Sequence, residues 1–208
     1  MDTTPDSAEL PGQRGPQFHE MRERVIQCAE TRFRHYGYNK TTVSEIAADL
    51  NVSSAYIYKF FDSKVAICEA VCGALLGRID EALWGEAHAS RPAAERLRRV
   101  YRILLEHSLA LFFHDRQLHD MVVAGLEHRW ASIARHIEAM SEVARFIIVA
   151  GRESGEFERK TPLDEVTRAV ASSFAPFSHP VLLQHSINDD LTSTAEAVAT
   201  IMLRGMSA

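Results

Sequence analysis

Two short helical segments that meet at a tight turn constrain this chain more than any other feature of its sequence. Thr42 and Glu45 have the spacing of a capping box, in which each residue satisfies the other's free backbone amide at a helix start. Ser53 can cap a second short helix, whose buried residues are Ile57 and Phe61. Because a longer amphipathic segment lies on either side of this pair, the pattern predicts a helix-turn-helix.

The rest of the chain also follows a helical period. Apolar residues recur at steps of three and four, and no segment shows the alternation that is typical of a strand. We predict an all-α fold of about nine helices, in which a three-helix helix-turn-helix module precedes a larger helical domain. The first predicted helix ends at Gly37, and the second is the short helix that Thr42 caps. The other seven predicted helices cover 54–61, 63–84, 92–113, 115–128, 131–153, 162–175 and 190–204. The segment 176–188, with two prolines, is predicted to be a loop or a broken helix.

Composition divides the chain into three parts. Residues 1–16 are rich in proline, glycine and small polar residues, and they predict a flexible arm. Residues 17–64 contain the helix-turn-helix, and residues 65–208 form the larger helical domain. Hydrophobic residues make up 46% and charged residues 25% of the 208 residues, which are ordinary values for a folded globular protein.

Charge and hydropathy exclude some classes of protein. No apolar run is long enough to span a bilayer, and the first residues lack a secretory pattern, so we expect no membrane partner and a cytoplasmic location. The net charge of −5 does not by itself indicate nucleic-acid binding, so any basic surface must come from the arrangement of the side chains.

The second helix of the pair has the side chains needed to read DNA bases. Small residues at its start, Ser53, Ser54 and Ala55, would let the helix approach the major groove closely. Tyr56 and Lys59 point away from its buried face and have the reach to contact base edges or a thymine methyl group.

Other residues of the module suit contacts with the DNA backbone. Thr42 and Lys64 lie at helix N-termini, and Tyr58 lies between two buried residues, which directs it outward. These three are predicted phosphate contacts. Arg14, in the N-terminal arm, is a candidate for the minor groove, although plain disorder of the arm is the expectation that we favour.

The segment ETRFRHYGYNKTTVSEIAADLNVSSAYIYKFFDSKVAICEAV resembles the DNA-binding region of TetR-type repressors over residues 25–71. The residues that fall at the family's spacing are Gly37-Tyr38, Thr41-Thr42-Val43, Ile46-Ala47, Val52-Ser53, Ile57-Tyr58, Phe61 and Ser63-Lys64. Ala55 replaces a frequent glycine, and Lys59-Phe60 replaces frequent histidine or tyrosine pairs. These departures affect the sequence of the operator that the chain would recognise.

The resemblance implies a homodimeric repressor that binds double-stranded operator DNA and is released by a small apolar or amphipathic effector. It also implies dimerisation through the last two helices, here about 162–174 and 190–204. The tail, with FAPFSHPVL and MLRGM, is similar to that of repressors of multidrug efflux transporters. A constitutive regulator or an activator without a ligand is the alternative. An all-helical enzyme is disfavoured because no phosphate loop, nucleophile elbow or metal-ligand spacing is present.

Three groups of residues in the chain have more than one interpretation. Six aromatic side chains of the larger domain are candidates for an effector pocket or for the core: Phe112, Phe113, Trp130, Phe146, Phe174 and Phe177. Cys68 and Cys72, four residues apart, suit a redox switch or metal ligands, but buried thiols are the favoured interpretation. His107, His114 and His119 lack a zinc-binding spacing, so we expect no metal and no cofactor.

Overall fold

The computed structural model describes residues 15–208, and every statement about the structure refers to these residues. Residues 1–14 of the predicted arm, including Arg14, lie outside the described residues. Pro16, which was assigned to the arm, is already the first residue of a helix. The eleven helices are α1 (Pro16–Tyr36), α2 (Val43–Asp49), α3 (Ser54–Ile57), α4 (Lys64–Ala87), α5 (Ala93–His114), α6 (Arg116–Glu127), α7 (Ala131–Ser154), α8 (Leu163–Ser172), α9 (Ala175–Ser178), α10 (Pro180–His185) and α11 (Leu191–Met206).

The first three helices and the start of α4 pack around one apolar centre. The most deeply buried residues of this centre are Val25, Ala29, Phe33, Ile46, Ile57 and Ile67. Helix α1 ends at Gly37, whose φ of +81° lies in the left-handed region that favours glycine. The Gly37 amide donates to the Phe33 carbonyl at 2.9 Å and closes the helix.

The larger part of the chain is built around α4, α5 and α7. Helix α4 packs against both α5 and α7, while α8 covers α7 and α11 covers α5. Helix α6 lies between this group and α1. The buried apolar residues form one continuous cluster from Val25 to Met206, to which α1, α4 and α7 all contribute.

The all-α class is confirmed, and two local predictions need correction. Helix α3 ends at Ile57 and not at Phe61, because the chain tightens there: the Lys59 and Phe60 amides each donate to a carbonyl three residues back, at 3.1 and 2.9 Å. Helix α8 ends at Ser172, short of the predicted residue 175. The segment 176–188 contains α10 and most of α9, so of its two predicted forms it adopts the broken helix. In the described part of the chain, no helix has both the length and the apolarity to cross a bilayer.

Candidate nucleic-acid interface

Side-chain caps fix the starts of α2 and α3. The Thr42 hydroxyl accepts from the Glu45 amide at 3.3 Å, and the Glu45 carboxylate accepts from the Thr42 amide at 2.7 Å, so the predicted capping box is present at the start of α2. The hydrogen bonds that the Thr42 amide and hydroxyl donate to this carboxylate lower the pKa of Glu45. At the start of α3, Ser53 Oγ accepts from the Tyr56 amide at 3.1 Å. Asn51, in the turn between the two helices, adopts a positive φ of 55°, which reverses the chain. The two capped starts and this turn define the helix-turn-helix.

Helix α3 presents a polar and aromatic face to solvent. Ile57 is fully buried, whereas Tyr58 is 49% and Tyr56 36% exposed, and Lys59 is exposed as well. The Lys59 ammonium lies 5.5 Å from the centre of the Tyr56 ring. Ile57 is anchored in the core, whereas Tyr56 of α3 and Tyr58 and Lys59 of the following turn are exposed to solvent.

Aromatic packing supports this face from behind. The Phe60 ring lies 4.6 Å from the Phe18 ring of α1 and 5.2 Å from the Tyr56 ring. The small residues leave the start of α3 open: Ala55 is exposed, and the Ser54 hydroxyl donates to the hydroxyl of Ser44 at 3.2 Å. The beginning of α3 can therefore approach another surface more closely than its end.

The predicted phosphate contacts flank this face. Thr42 is exposed at the start of α2. Lys64 is half-buried at the start of α4. Its ammonium donates to the carbonyl of Asn39 at 3.2 Å, and Asn39 is the neighbour of Lys40 in the turn before α2. The remaining ammonium hydrogens of Lys64 are available to an anion.

Glu30 of α1 and both acidic residues of α2 are paired with arginines. The Arg32 guanidinium contacts Asp49 at 2.5 Å and Glu45 at 3.7 Å, and it lowers the pKa of Asp49. Glu30 contacts Arg34 at 2.9 Å and Arg78 at 2.7 Å. These pairs cancel negative charge behind the interface.

Three lysines of the module, in contrast, carry no acidic partner. Lys40, Lys59 and Lys64 form no ion pair with any residue between 15 and 208. These three lysines therefore supply unpaired positive charge to the helix-turn-helix of a chain whose net charge is −5.

The six predicted pocket aromatics do not gather around one cavity. Phe174 and Phe177 pack on Tyr101, with ring centres 4.9 and 6.0 Å apart, and all three are buried in the core. Of the others, Trp130 is buried, Phe112 makes an edge-to-face contact with His119, Phe146 lies beside Trp84 and His88, and Phe113 is 62% exposed. Their helices direct them to different sides of the domain.

A cavity of about 690 Å³ does lie between α4, α6, α7, α8 and the α9–α10 segment. None of the six aromatic residues lines it. Its walls are mainly aliphatic, and its polar residues include His136, Thr167 and His179. For Thr167 the sequence gave a weak indication, because it is a polar residue on an otherwise apolar helix face beside Val166 and Val170.

The cysteines and histidines also have defined places. Cys68 and Cys72 are buried, and desolvation raises the pKa of each thiol to about 11, so both are protonated at neutral pH. His119 is 1% exposed, while His107 and His114 lie on α5. Within residues 15–208, no group of three or more His, Cys, Asp or Glu side chains could hold a metal ion.

Comparison with known proteins gives two family matches. Residues 25–71 match the family "Bacterial regulatory proteins, tetR family", and residues 93–199, more than half of the chain, match "Tetracyclin repressor-like, C-terminal domain". A curated relative, the "Biofilm operon icaADBC HTH-type negative transcriptional regulator IcaR" of Staphylococcus aureus, is 41% identical over 49 residues. That alignment covers 24% of this chain and 26% of the relative's length.

Solved structures show the same fold over nearly the whole chain. A transcriptional regulator from Cytophaga hutchinsonii aligns with a TM-score of 0.66 and 21% identity, covering 89% of this chain and 98% of the other. Thermus thermophilus FadR, a TetR-family transcriptional repressor in complex with lauroyl-CoA, aligns with a TM-score of 0.60 and 23% identity, covering 90% and 95%. At these identities the likeness establishes the fold.

Proposed function

Because the chain belongs to the TetR family, whose members are transcription regulators and not enzymes, we propose that it is a dimeric repressor that binds operator DNA and is released by a small-molecule effector. The observation that carries this proposal is the exposed face of α3. Tyr56 of α3 and Tyr58 and Lys59 of the turn that follows it are exposed, while Ile57 between them is buried in the core.

In the proposed complex, α3 lies in the major groove. Tyr56 and Lys59 contact base edges, while the small residues Ser53, Ser54 and Ala55 allow close approach. The second predicted set, Thr42, Tyr58 and Lys64, contacts phosphates. A dimer places two copies of α3 in successive major grooves, roughly 34 Å apart.

We propose that α11 forms the main dimer contact, with α8 beside it, which corresponds to the predicted segments 190–204 and 162–174. One face of α11 is apolar and uncovered: Ala197, Val198, Ile201 and Met202 line a shallow depression there, and Ile201 is 62% exposed. Glu196, next to that face, contacts Arg102 of α5 at 2.8 Å. The apolar face therefore suits a second copy of the chain.

Replacement of Ile201 with glutamate tests this contact. The variant is expected to weaken dimerisation at least about tenfold, because each protomer would place an unpaired carboxylate in an apolar interface. Sedimentation velocity over a concentration series measures the change. Phe113→Glu is the matched control, since Phe113 has the same exposed fraction of 62% on a different helix. An Ile201→Glu protein that sediments as the wild type does would place the interface elsewhere.

Helix α6 provides a route from the cavity to the DNA-binding module. Val122 of α6 lines the cavity. The first turn of α6 meets the end of α1, where Asp115 pairs with Arg34 and a side chain at position 37 would collide with Gln117. A ligand that shifts α6 would thus shift α1 and the spacing of the two α3 helices. A tenfold loss of operator affinity requires about 1.4 kcal/mol of coupling between the sites.

The target and ligand are proposed on narrower grounds. The tail resembles that of regulators of efflux transporters, so we propose a transporter gene as the target. The resemblance implies a small apolar or amphipathic effector. Thermus thermophilus FadR, which has the same fold, binds lauroyl-CoA, so an acyl-CoA is a second candidate class of effector. Deletion of the gene separates a repressor from an activator: transcription of the target rises in the first case and falls in the second.

Fluorescence anisotropy with the DNA that flanks the gene tests the proposed function. We expect the wild-type protein to bind this DNA in preference to random sequence, with an affinity that falls steeply as the salt concentration is raised, because phosphate contacts release counterions. Equal affinity for both DNAs, followed by failure of a genome-wide selection to find a preferred site, would contradict sequence-specific repression.

A further inference from the structure

Three aromatic rings in contact join α1 to the exposed face of α3. The Phe60 ring, in the turn after α3, lies 5.2 Å from the Tyr56 ring, and the two planes meet at 77°. This is the edge-to-face arrangement that aromatic pairs favour. The Phe60 ring also lies 4.6 Å from the ring of Phe18 in α1. We call Phe18, Phe60 and Tyr56 the aromatic ladder.

The middle ring of the ladder, Phe60, is held in place by its surroundings. Its side chain is half-buried and packs against the core, and its amide donates to the Ile57 carbonyl at 2.9 Å. Ile57, three residues earlier, is fully buried, and Phe61, the next residue, is 4% exposed. The backbone is therefore anchored on both sides of Phe60, and its ring gives Tyr56 a fixed surface to pack on.

Tyr56 combines a packed ring with an available hydroxyl group. Its ring contacts Phe60 and also the Lys59 ammonium, which lies 5.5 Å from the ring centre. Tyr56 is 36% exposed, and its hydroxyl makes no hydrogen bond with any residue between 15 and 208. Because a phenol hydroxyl both donates and accepts, it can bind either kind of polar group on a base edge.

The packing of the Tyr56 ring bears on base contacts more than on phosphate contacts. An unsupported tyrosine on a short helix can take several staggered rotamers, and fixing one of them on binding costs conformational entropy. A ring that is already packed before DNA arrives avoids part of this cost. The phosphate contacts proposed for Thr42 and Lys64 do not use this ring, so they gain nothing from the ladder.

We propose that Phe60, backed by Phe18, is a positioning residue that orients Tyr56 for base contacts and so strengthens the preference for operator DNA without contacting the DNA itself. The inference rests on the DNA-binding function proposed above. It assigns to the start of α1 a part in sequence recognition, although no residue of α1 belongs to the face that meets the bases.

Replacement of Phe60 with leucine tests the positioning role. Leucine keeps an apolar side chain against Phe18 but cannot make the edge-to-face contact with Tyr56. Operator affinity is expected to fall about threefold for each copy of α3, or about tenfold for the dimer. Affinity for random-sequence DNA is expected to stay within about twofold of the wild type, which also shows that the module is folded. Fluorescence anisotropy at one fixed salt concentration measures both affinities.

Phe146→Leu is the matched control. Phe146 is a partly exposed phenylalanine of α7, and its ring makes a similar edge-to-face contact with Trp84, at 5.7 Å and 70°. Both DNA affinities of this variant are expected to lie within about twofold of the wild type. Phe18→Leu is a second test variant that leaves the turn after α3 unchanged, and it is expected to reduce the operator preference about threefold.

A double-mutant cycle with Tyr56→Ala separates positioning from a purely structural role. If Phe60 acts through Tyr56, Phe60→Leu is expected to change operator affinity by less than about twofold once Tyr56 is alanine. The two single variants are also expected to relax the preference at the same base pairs of each half-site. A full tenfold loss in the Tyr56→Ala protein would show that Phe60 acts independently of Tyr56, and it would overturn the inference.

The remaining outcomes distinguish the inference from the proposed function. If the wild type prefers operator DNA and Phe60→Leu keeps the full preference, the repressor proposal stands and the positioning role is wrong. Equal losses on both DNAs in Phe60→Leu and in Phe18→Leu would likewise reduce the ladder to a structural element. A wild-type protein with no preference for any DNA sequence would overturn both proposals.

Discussion

Replacing both Tyr58 and Lys59 with alanine is expected to lower the affinity for operator DNA by about a hundredfold. Both side chains are exposed in the turn that directly follows α3, and neither contributes to the core. Each specific contact with DNA contributes about 1–3 kcal/mol, and the dimer loses the contacts twice, so a loss near 2.7 kcal/mol is a low expectation. Fluorescence anisotropy at one fixed salt concentration measures the change.

A second double variant is the matched control, because it removes one tyrosine and one lysine side chain at positions away from α3. Tyr36→Ala with Lys160→Ala makes the same chemical changes, and therefore has the same net charge, at exposed positions at the end of α1 and beyond α7. It is expected to bind operator DNA within about twofold of the wild type. If both double variants lost affinity equally, net charge would account for the loss, and α3 would not be the recognition helix.

The helix-turn-helix was predictable because its determinants are local. Thr42, Glu45 and Ser53 form the caps that their spacing predicted, since each bond joins residues three apart in the chain. The burial of Ile57 likewise follows from helical periodicity. The end of α3 was harder to predict from the sequence. There the backbone amides change from carbonyls four residues back to carbonyls three residues back, and this change does not alter the pattern of apolar side chains.

The cavity was not predictable because it depends on contacts between distant segments. Aromatic composition suggested a pocket lined by residues such as Phe174, but Phe174 meets Tyr101 of another helix and closes the core instead. The orientation of polar residues that do line the cavity depends on partners that are distant in the sequence. The 2.6 Å contact between His136 and Asp80, for example, joins residues 56 positions apart.

Phe157 is a further long-range feature that the sequence did not reveal. Its side chain is 4% exposed and lies directly over Gly151 of α7, where a Cβ would overlap the ring. Its amide donates to the Gly151 carbonyl at 3.0 Å, and its backbone pairs with Ser207 at the end of α11. The neighbouring Glu156 carboxylate accepts from the Ala93 amide at the start of α5, at 2.9 Å. This short segment therefore joins α5, α7 and α11.

Gly151→Ala is expected to destabilise the protein by about 2 kcal/mol, although alanine is the better helix former. The added methyl group must displace the buried Phe157 ring, and the cost of overpacking and lost burial exceeds the gain in helix propensity of about 1 kcal/mol. Gly85→Ala in α4 is the matched control, because Gly85 is exposed and a Cβ there meets nothing within 4 Å. That variant is expected to be more stable by about 0.5–1 kcal/mol. Urea unfolding measures both free energies, and a Gly151→Ala protein as stable as Gly85→Ala would show that Phe157 does not hold the three helices together.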